Sequence, residues 1–318
     1  MTAKAVLKSM DTIMKIGIPR ALLYHRYDTL WLTFFKELNI ETVVSPVTDK
    51  FILDEGNRYA IDENCLSSKL FFGHVAALRG KCDAVFVPRI ANYGKEGIMC
   101  TRFEALYDMA VNTFRGMGMH FISCDVDEQE HKSEKKAYIN LARTLGRSAS
   151  EGRRAYAAAK SAQAEAQGKK NREQEALLAQ EGIKILVVSH NYNLHDTYIG
   201  KPIIQALKKL GAVPLLSDSA DPEQMRREYT NICENVPWMV NRELVGSVSH
   251  YHDIADGIIL ITAFPCGPDS MTNEMIIRRV KDRPILNLLL DSQDATAGIE
   301  TRLESFVDII RFRKEAMV

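Results

Sequence analysis

This chain of 318 residues has no excess charge of either sign, with 41 basic residues against 41 acidic ones. That balance speaks against a broad nucleic-acid or anionic-membrane surface. There is no run of about twenty apolar residues, so no membrane-spanning helix is expected. The opening Met-Thr-Ala-Lys-Ala-Val-Leu-Lys lacks the apolar core of a secretory signal, and a cytoplasmic location is the expectation. The six cysteines include no Cys-x-x-Cys pair and no Cys-x2-Cys-x2-Cys run, which excludes a small ferredoxin. In a reducing compartment they do not read as a disulfide framework either. Neither Gly-x-x-x-x-Gly-Lys-Ser/Thr nor a Gly-x-Gly-x-x-Gly turn after a strand occurs. The chain is therefore not expected to hydrolyse ATP itself.

What is present is an ordinary globular composition, 46% hydrophobic and 26% charged, with a length suited to about two domains. Residues 1–13 read as a helical or frayed lead-in. Short apolar runs at 15–19, 42–45, 83–88 and 120–124 read as strands. Between them Tyr27, Leu30, Trp31, Phe34, Phe35 and Leu38 recur at helical spacing. Helices are also expected over 70–78 and 102–114. A second series starts at Lys184, with strands at 185–189, 213–216, 257–262 and 285–290 and helices between and after them. Strands alternating with helices predict a mostly parallel sheet covered on both faces.

The stretch 125–182 differs. It is rich in Ala, Glu, Lys, Gln and Arg and poor in large apolar residues, which favours two long helices broken near 146–152. The fold class is therefore α/β: two Rossmann-like parallel-sheet domains, 1–124 and 183–318, joined by a long helical segment, 125–182. That segment is expected to project from the body and, being marginal alone, to pack along a domain or pair with the same element of a second copy in a homodimer; the alternative is an interdomain spacer.

Three cysteines share one setting. Cys65 lies in Asp-Glu-Asn-Cys-Leu-Ser-Ser-Lys, Cys100 in Gly-Ile-Met-Cys-Thr-Arg-Phe-Glu and Cys266 in Phe-Pro-Cys-Gly-Pro-Asp-Ser. Each falls at the end of a loop just before a helical stretch. A helix start carries unpaired N–H groups and partial positive charge, which lowers a thiol pKa and favours metal ligation. Ligands of open α/β sheets sit beyond the carboxyl ends of the strands. Cys266 follows strand 257–262, Cys100 follows strand 83–88 through a loop, and Cys65 follows an extended loop after strand 42–45. All three can converge on a cleft between the domains. A single such cysteine reads as a small buried hydrophobe; three in polar, Gly/Pro/Ser-rich loops point to a metal or cluster. Three ligands leave one corner of a cubane cluster open.

Cys82, before a buried strand, and Cys233, inside a helical segment, read as structural; Cys124, at a strand end, is open. Other polar groups share the functional edge: Arg20 and Tyr24 after the first strand, His190, Asn191, Tyr192 and Asp196 after strand 185–189, and Asp291 and Gln293 after the last. Glu63 and Lys69 flank Cys65. Any of these could donate hydrogen bonds to cluster sulfurs or substrate, and each taken singly fits loop capping. Structural zinc usually takes closely spaced pairs, which are absent. A Cys-His nucleophile with His74 or His190 as base is a further alternative that nothing selects.

Lys-Ile-Gly-Ile-Pro-Arg-Ala-Leu-Leu-Tyr, Asp-Glu-Asn-Cys, Val-Pro-Arg, Phe-Pro-Cys-Gly-Pro-Asp-Ser and Gly-Ile-Glu-Thr-Arg-Leu-Glu-Ser-Phe together resemble one family. It is the "CoA protein activase" family, related to 2-hydroxyacyl-CoA dehydratase activases. The family is similar to the cluster-binding subunits of 2-hydroxyacyl-CoA dehydratases and benzoyl-CoA reductases, and to double-cubane cluster proteins. The resemblance implies a [4Fe–4S] cluster, or a double cubane, held by Cys65, Cys100 and Cys266. It implies a partner, an ATP-hydrolysing iron–sulfur reductase (activase), that supplies low-potential electrons for reducing a small-molecule substrate at an open iron. A 2-hydroxyacyl-CoA dehydratase subunit and a non-catalytic cluster carrier or scaffold are the alternatives. Ser67-Ser68 stand where relatives carry Pro-Val or similar, which puts the geometry of the Cys65 loop in question.

Overall fold

The structure is a computed structural model that describes residues 14–292 and 298–316. The lead-in over 1–13 and Gln293 lie outside the described residues. The strands are β1 (Lys15–Ile18), β2 (Glu41–Val44), β3 (Ala84–Phe86), β4 (Arg89–Asn92), β5 (Phe121–Ile122), β6 (Asp125–Asp127), β7 (Ile183–Val188), β8 (Ala212–Leu216), β9 (Gly257–Ala263) and β10 (Ile285–Leu290). The chain divides into two compact units. One holds the described residues up to Asp62 with Ser68–Ala166; the other holds Glu63–Ser67 with those from Gln167 on.

Each unit carries a four-stranded parallel sheet, ordered β2-β1-β3-β5 in the first and β10-β9-β7-β8 in the second. Read from its own first strand, each sheet runs second-first-third-fourth. Both are α/β folds of the Rossmann-like kind. The order reverses between the first and third strands, the switch point at which such sheets bind ligands. One local device recurs in both. The Lys15 amide donates to the Asp83 carboxylate at 2.7 Å while the Asp83 amide donates to the Lys15 carbonyl. Lys184 and Asp256 repeat that exchange at the start of β7. In each case an Asp before the third strand ties down the entry to the first.

Burial explains the strand sequences. β9, Gly-Ile-Ile-Leu-Ile-Thr-Ala, is buried at every position, as a central parallel strand covered on both faces must be. Its core includes Leu186, Val188, Leu215, Val245, Val248 and Ile276. In the first unit the helix Tyr24–Glu37 buries Tyr27, Leu30, Trp31, Phe34 and Phe35, and Phe86 of β3 meets Trp31 and Phe35 edge-on at 5.2 and 5.4 Å.

Three sequence expectations change. The stretch before Cys65 is not one extended loop: Lys50–Tyr59 is a helix, capped by Asp49, whose carboxylate accepts from the Ile52 amide. Its Gly56 sits against the helix Leu66–Ala77, where an added Cβ would fall 2.2 Å from the Lys69 carbonyl oxygen. The loop before Cys100 contains β4, which pairs with β6 in a separate two-stranded ribbon. Cys233 lies past its short helix, on the core of the second unit, with its thiol 3.2 Å from the Met275 sulfur.

The middle segment is helical, Glu134–Thr144 and Ala149–Leu178, with Gly146 at φ 76° between them. Ser148 and Glu151 form a reciprocal capping box at the second start. Rather than projecting, it packs along each unit, as expected of a helix pair marginal on its own. Ala155 and Ala159 are buried and Tyr156 donates to Glu134 in the first unit. Gln174, in the second, is buried and bonds both backbone groups of Leu216 on β8. Small alanines allow close approach, so a face without large apolar residues still packs. Among the described residues no helix is long and apolar enough to cross a membrane.

Candidate functional site

Each of the three singled-out cysteines stands one residue before a helix: Cys65 before Leu66–Ala77, Cys100 as the N-cap of Thr101–Thr113 and Cys266 as the N-cap of Gly267–Arg279. All three are partly buried. Cys65 and Cys266 belong to the second unit, Cys100 to the first.

In the second unit the site forms at the switch point. His190 follows β7 and the Cys266 loop follows the neighbouring β9. The Leu66 amide donates to the Phe264 carbonyl at 2.9 Å, which docks the Cys65 segment on the loop that leads to Cys266. Ser67 Oγ donates to Asn193 Oδ1 at 2.7 Å, and Asn193 Nδ2 donates to Ser189 Oγ at 3.0 Å. Ser189 Oγ in turn donates to the Ile261 carbonyl of β9. Ser67 therefore ties the Cys65 turn to the end of β7.

Beside Cys266 lies a buried polar cluster. The sulfur, a ring nitrogen of His190 and a carboxylate oxygen of Asp269 lie within 4.8 Å of one another. His190 Nε2 is 2.7 Å from Asp269 Oδ1, which also accepts from Asn241 Nδ2 at 3.0 Å. His190 stacks on Tyr192, with ring centroids 4.8 Å apart. Two atoms of the cluster, His190 Nδ1 and Asp269 Oδ2, are buried with no hydrogen-bond partner.

The electrostatics differ from the sequence expectation. Burial pushes the Cys266 thiol up, and the Asp269 carboxylate and Cys65 add to the rise. The Asp269 amide at the helix start pulls the other way and is outweighed. Burial would also raise Asp269, but His190, Asn241 and Cys266 beside it hold its carboxyl below the usual value.

The remaining candidates sort by contact. Arg20 donates from its amide to Ser45 Oγ and from Nε to the Ser45 carbonyl, and lies over the Tyr24 ring. His74 is fully buried, with both ring nitrogens on hydroxyls, Nδ1 to Ser45 and Nε2 to Thr48, so it has no free nitrogen to act as a base. Asp196 caps a turn by accepting from the Tyr198 and Ile199 amides. Asn191 and Asp291 each accept from the next amide in the chain. Glu63 is exposed. Cys124 is buried, which drives its thiol up; burial likewise pushes Cys82 up to about 11. Sequence reasoning missed Asp269, Asn241 and Asn193. The available signal was an acid in the first turn of the helix after Cys266.

Residues 15–220 match the model of the family described as the CoA enzyme activase uncharacterised domain (DUF2229). The chain belongs to this family. The span matched to this CoA enzyme activase domain includes Cys65, Cys100 and His190 and ends before Cys266 and Asp269. No curated protein matches the chain. Among solved structures it is similar to ZnuA, at 11% identity and a TM-score of 0.24, covering 94% of this chain and 98% of that one. It is similar to a zinc-bound ZnuA deletion mutant at 10% identity and a TM-score of 0.23, covering 94% and 97%. For the C-terminal domain of glucosamine-fructose-6-phosphate aminotransferase from Francisella tularensis the values are 13% and 0.22, covering 97% and 86%. Likenesses this distant carry no argument.

Proposed function

We propose that this chain is an iron–sulfur protein of a CoA-enzyme activation system. In this reading Cys65, Cys100 and Cys266 hold a [4Fe–4S] cluster, alone or as half of a double cubane. An ATP-hydrolysing iron–sulfur reductase delivers electrons to it, and a small molecule takes them up. The observation that carries the reading is the docking of the Cys65 turn on the Cys266 loop through Leu66 and Phe264. That contact holds the Cys65 turn against the Cys266 loop beyond the neighbouring strands β7 and β9, with each cysteine one residue before a helix, which supports the reading. Membership of the activase family supports the link to CoA-enzyme activation.

The donor set fits the group. Thiolates are the ligands iron–sulfur clusters take, and three of them leave one iron open. Bound, such a cluster supplies low-potential electron transfer and an open coordination position. The chain's own residues hold the frame. Ser67, Asn193 and Ser189 fix the Cys65 turn to β7 and β9. Asn241 and His190 fix Asp269 in the first turn after Cys266.

The test is anaerobic reconstitution with iron and sulfide, followed by iron and sulfide counting and electron paramagnetic resonance. Wild type, Cys82→Ala and Cys233→Ala are expected to load alike. Cys65→Ala, Cys100→Ala and Cys266→Ala are expected to lose most of the cluster. Equal iron content in wild type and Cys266→Ala would refute the assignment.

A further inference from the structure

The Cys266, His190 and Asp269 cluster is more compact than a cubane needs. Sulfur, nitrogen and oxygen donors within 4.8 Å of one another can all reach one ion. His190 is 4% exposed and Asp269 2%, and both retain an unpartnered atom, Nδ1 and Oδ2 respectively. A buried polar atom without a partner is costly, and a native protein retains one where something else satisfies it. The other atoms of the same side chains are already engaged. His190 Nε2 and Asn241 Nδ2 both meet Asp269 Oδ1. Nδ1 leaves the ring on the side away from Asp269, so one ion held by all three side chains would replace the hydrogen bond between His190 Nε2 and Asp269 Oδ1.

We propose that, in the cluster-free protein, Cys266, His190 and Asp269 bind a single divalent cation of the borderline class, such as ferrous iron, zinc or cobalt. The donor set selects the class. One thiolate, one imidazole and one carboxylate suit these ions, whereas calcium and magnesium require an all-oxygen shell. Three protein ligands leave a fourth position open. As the metal–sulfur bond forms, the Cys266 thiol proton leaves to solvent, so the site fills more readily as pH rises. This site shares Cys266 with the proposed cluster and does not depend on it. One thiol cannot serve both in these two geometries, so the ion precedes the cluster or stands in its place. A ferrous ion here would be the first iron to arrive.

The probe is cobalt(II), added anaerobically to the full-length apo-protein. One equivalent should bind, with a thiolate charge-transfer band in the near ultraviolet and tetrahedral ligand-field bands in the visible. His190→Gln and Asp269→Asn should weaken binding by more than the roughly 10–100-fold that loss of an outer-shell partner costs, and Cys266→Ala should remove the charge-transfer band. Buried-site variants can misfold, so X-ray absorption on the wild type loaded with one equivalent of zinc supplies a second test. It should show one sulfur at about 2.3 Å among nitrogen and oxygen neighbours at about 2.0–2.2 Å. A shell without sulfur, or no charge-transfer band in folded wild type, overturns the proposal. Cys100→Ala separates the two readings: it should bind cobalt as wild type does and fail to build the cluster. Wild type that binds cobalt but builds no cluster sinks the cluster reading alone. Wild type that builds a cluster but gives no cobalt–thiolate band sinks this one alone.

Discussion

The Leu66 amide and the Phe264 carbonyl meet at 2.9 Å, one residue after Cys65 and two before Cys266. Short of a proline at position 66, changing either side chain leaves this backbone contact in place, but its neighbour can be removed. Ser67→Ala deletes the bond to Asn193 and leaves a buried amide oxygen with one partner fewer. The expected cost is about 1–3 kcal/mol, read as a lower urea midpoint at unchanged slope. Reconstituted iron per chain should fall as well, because the Cys65 turn loses its side-chain anchor. Unchanged iron at reduced stability would show that the backbone contact alone places Cys65.

His74 gives the protein an acid-sensitive term. Burial, with help from His25 and Arg20, holds its pKa down to about 3, against 6.5 in the unfolded chain. Between those values the unfolded state binds a proton that the folded state does not, so stability rises with pH across that window and is lost as pH falls from 6.5. The slope is at most about 1.4 kcal/mol per pH unit. His74→Gln should lose this slope while keeping part of the bonding to Ser45 and Thr48. The check is chemical denaturation of both proteins between pH 7 and pH 4. The wild-type advantage should shrink toward acid, and a gap constant with pH would contradict the assignment.

Gln174 acts as a strand partner supplied by a helix. Its amide gives a hydrogen to the Leu216 carbonyl at 2.9 Å and takes one from the Leu216 amide at 3.1 Å, covering part of the edge strand β8. Gln174→Ala should cost about 1–3 kcal/mol by leaving both backbone groups unpaired. Hydrogen exchange should localise the effect, with the Leu216 amide losing protection before the β9 amides. Uniform loss across the sheet would mean that the contact supports the whole unit rather than its edge.

Strand 257–262 was legible because a central parallel strand buried on two faces needs a continuous apolar run, and 285–290, half-exposed at the sheet edge, still keeps enough apolar residues to be read. β4 and β6 were not, since Arg-Ile-Ala-Asn and Asp-Val-Asp are short, polar and half-exposed, and a two-stranded ribbon needs no apolar stripe. The helix Lys50–Tyr59 was hidden by Gly56, which reads as a breaker in sequence yet is required where another helix backbone comes close. The helix-start setting of the cysteines followed from loop residues ahead of helix formers. The Asp269–His190 pair did not, because 79 residues separate them and only the pairing of β7 with β9 brings them together.

Residues Glu63–Ser67 belong to the second unit although both flanks belong to the first. On the ribosome this five-residue strip emerges early and waits. Its acceptor on Phe264 and its anchor on Asn193 are translated only after the entire first unit and the long helix. The Cys65 turn therefore matures late, and a fragment ending at Ala166 would lack its Phe264 acceptor and its Asn193 anchor. On the proposed reading, a metal held by Cys65 and Cys266 together would load only once the second unit has been made.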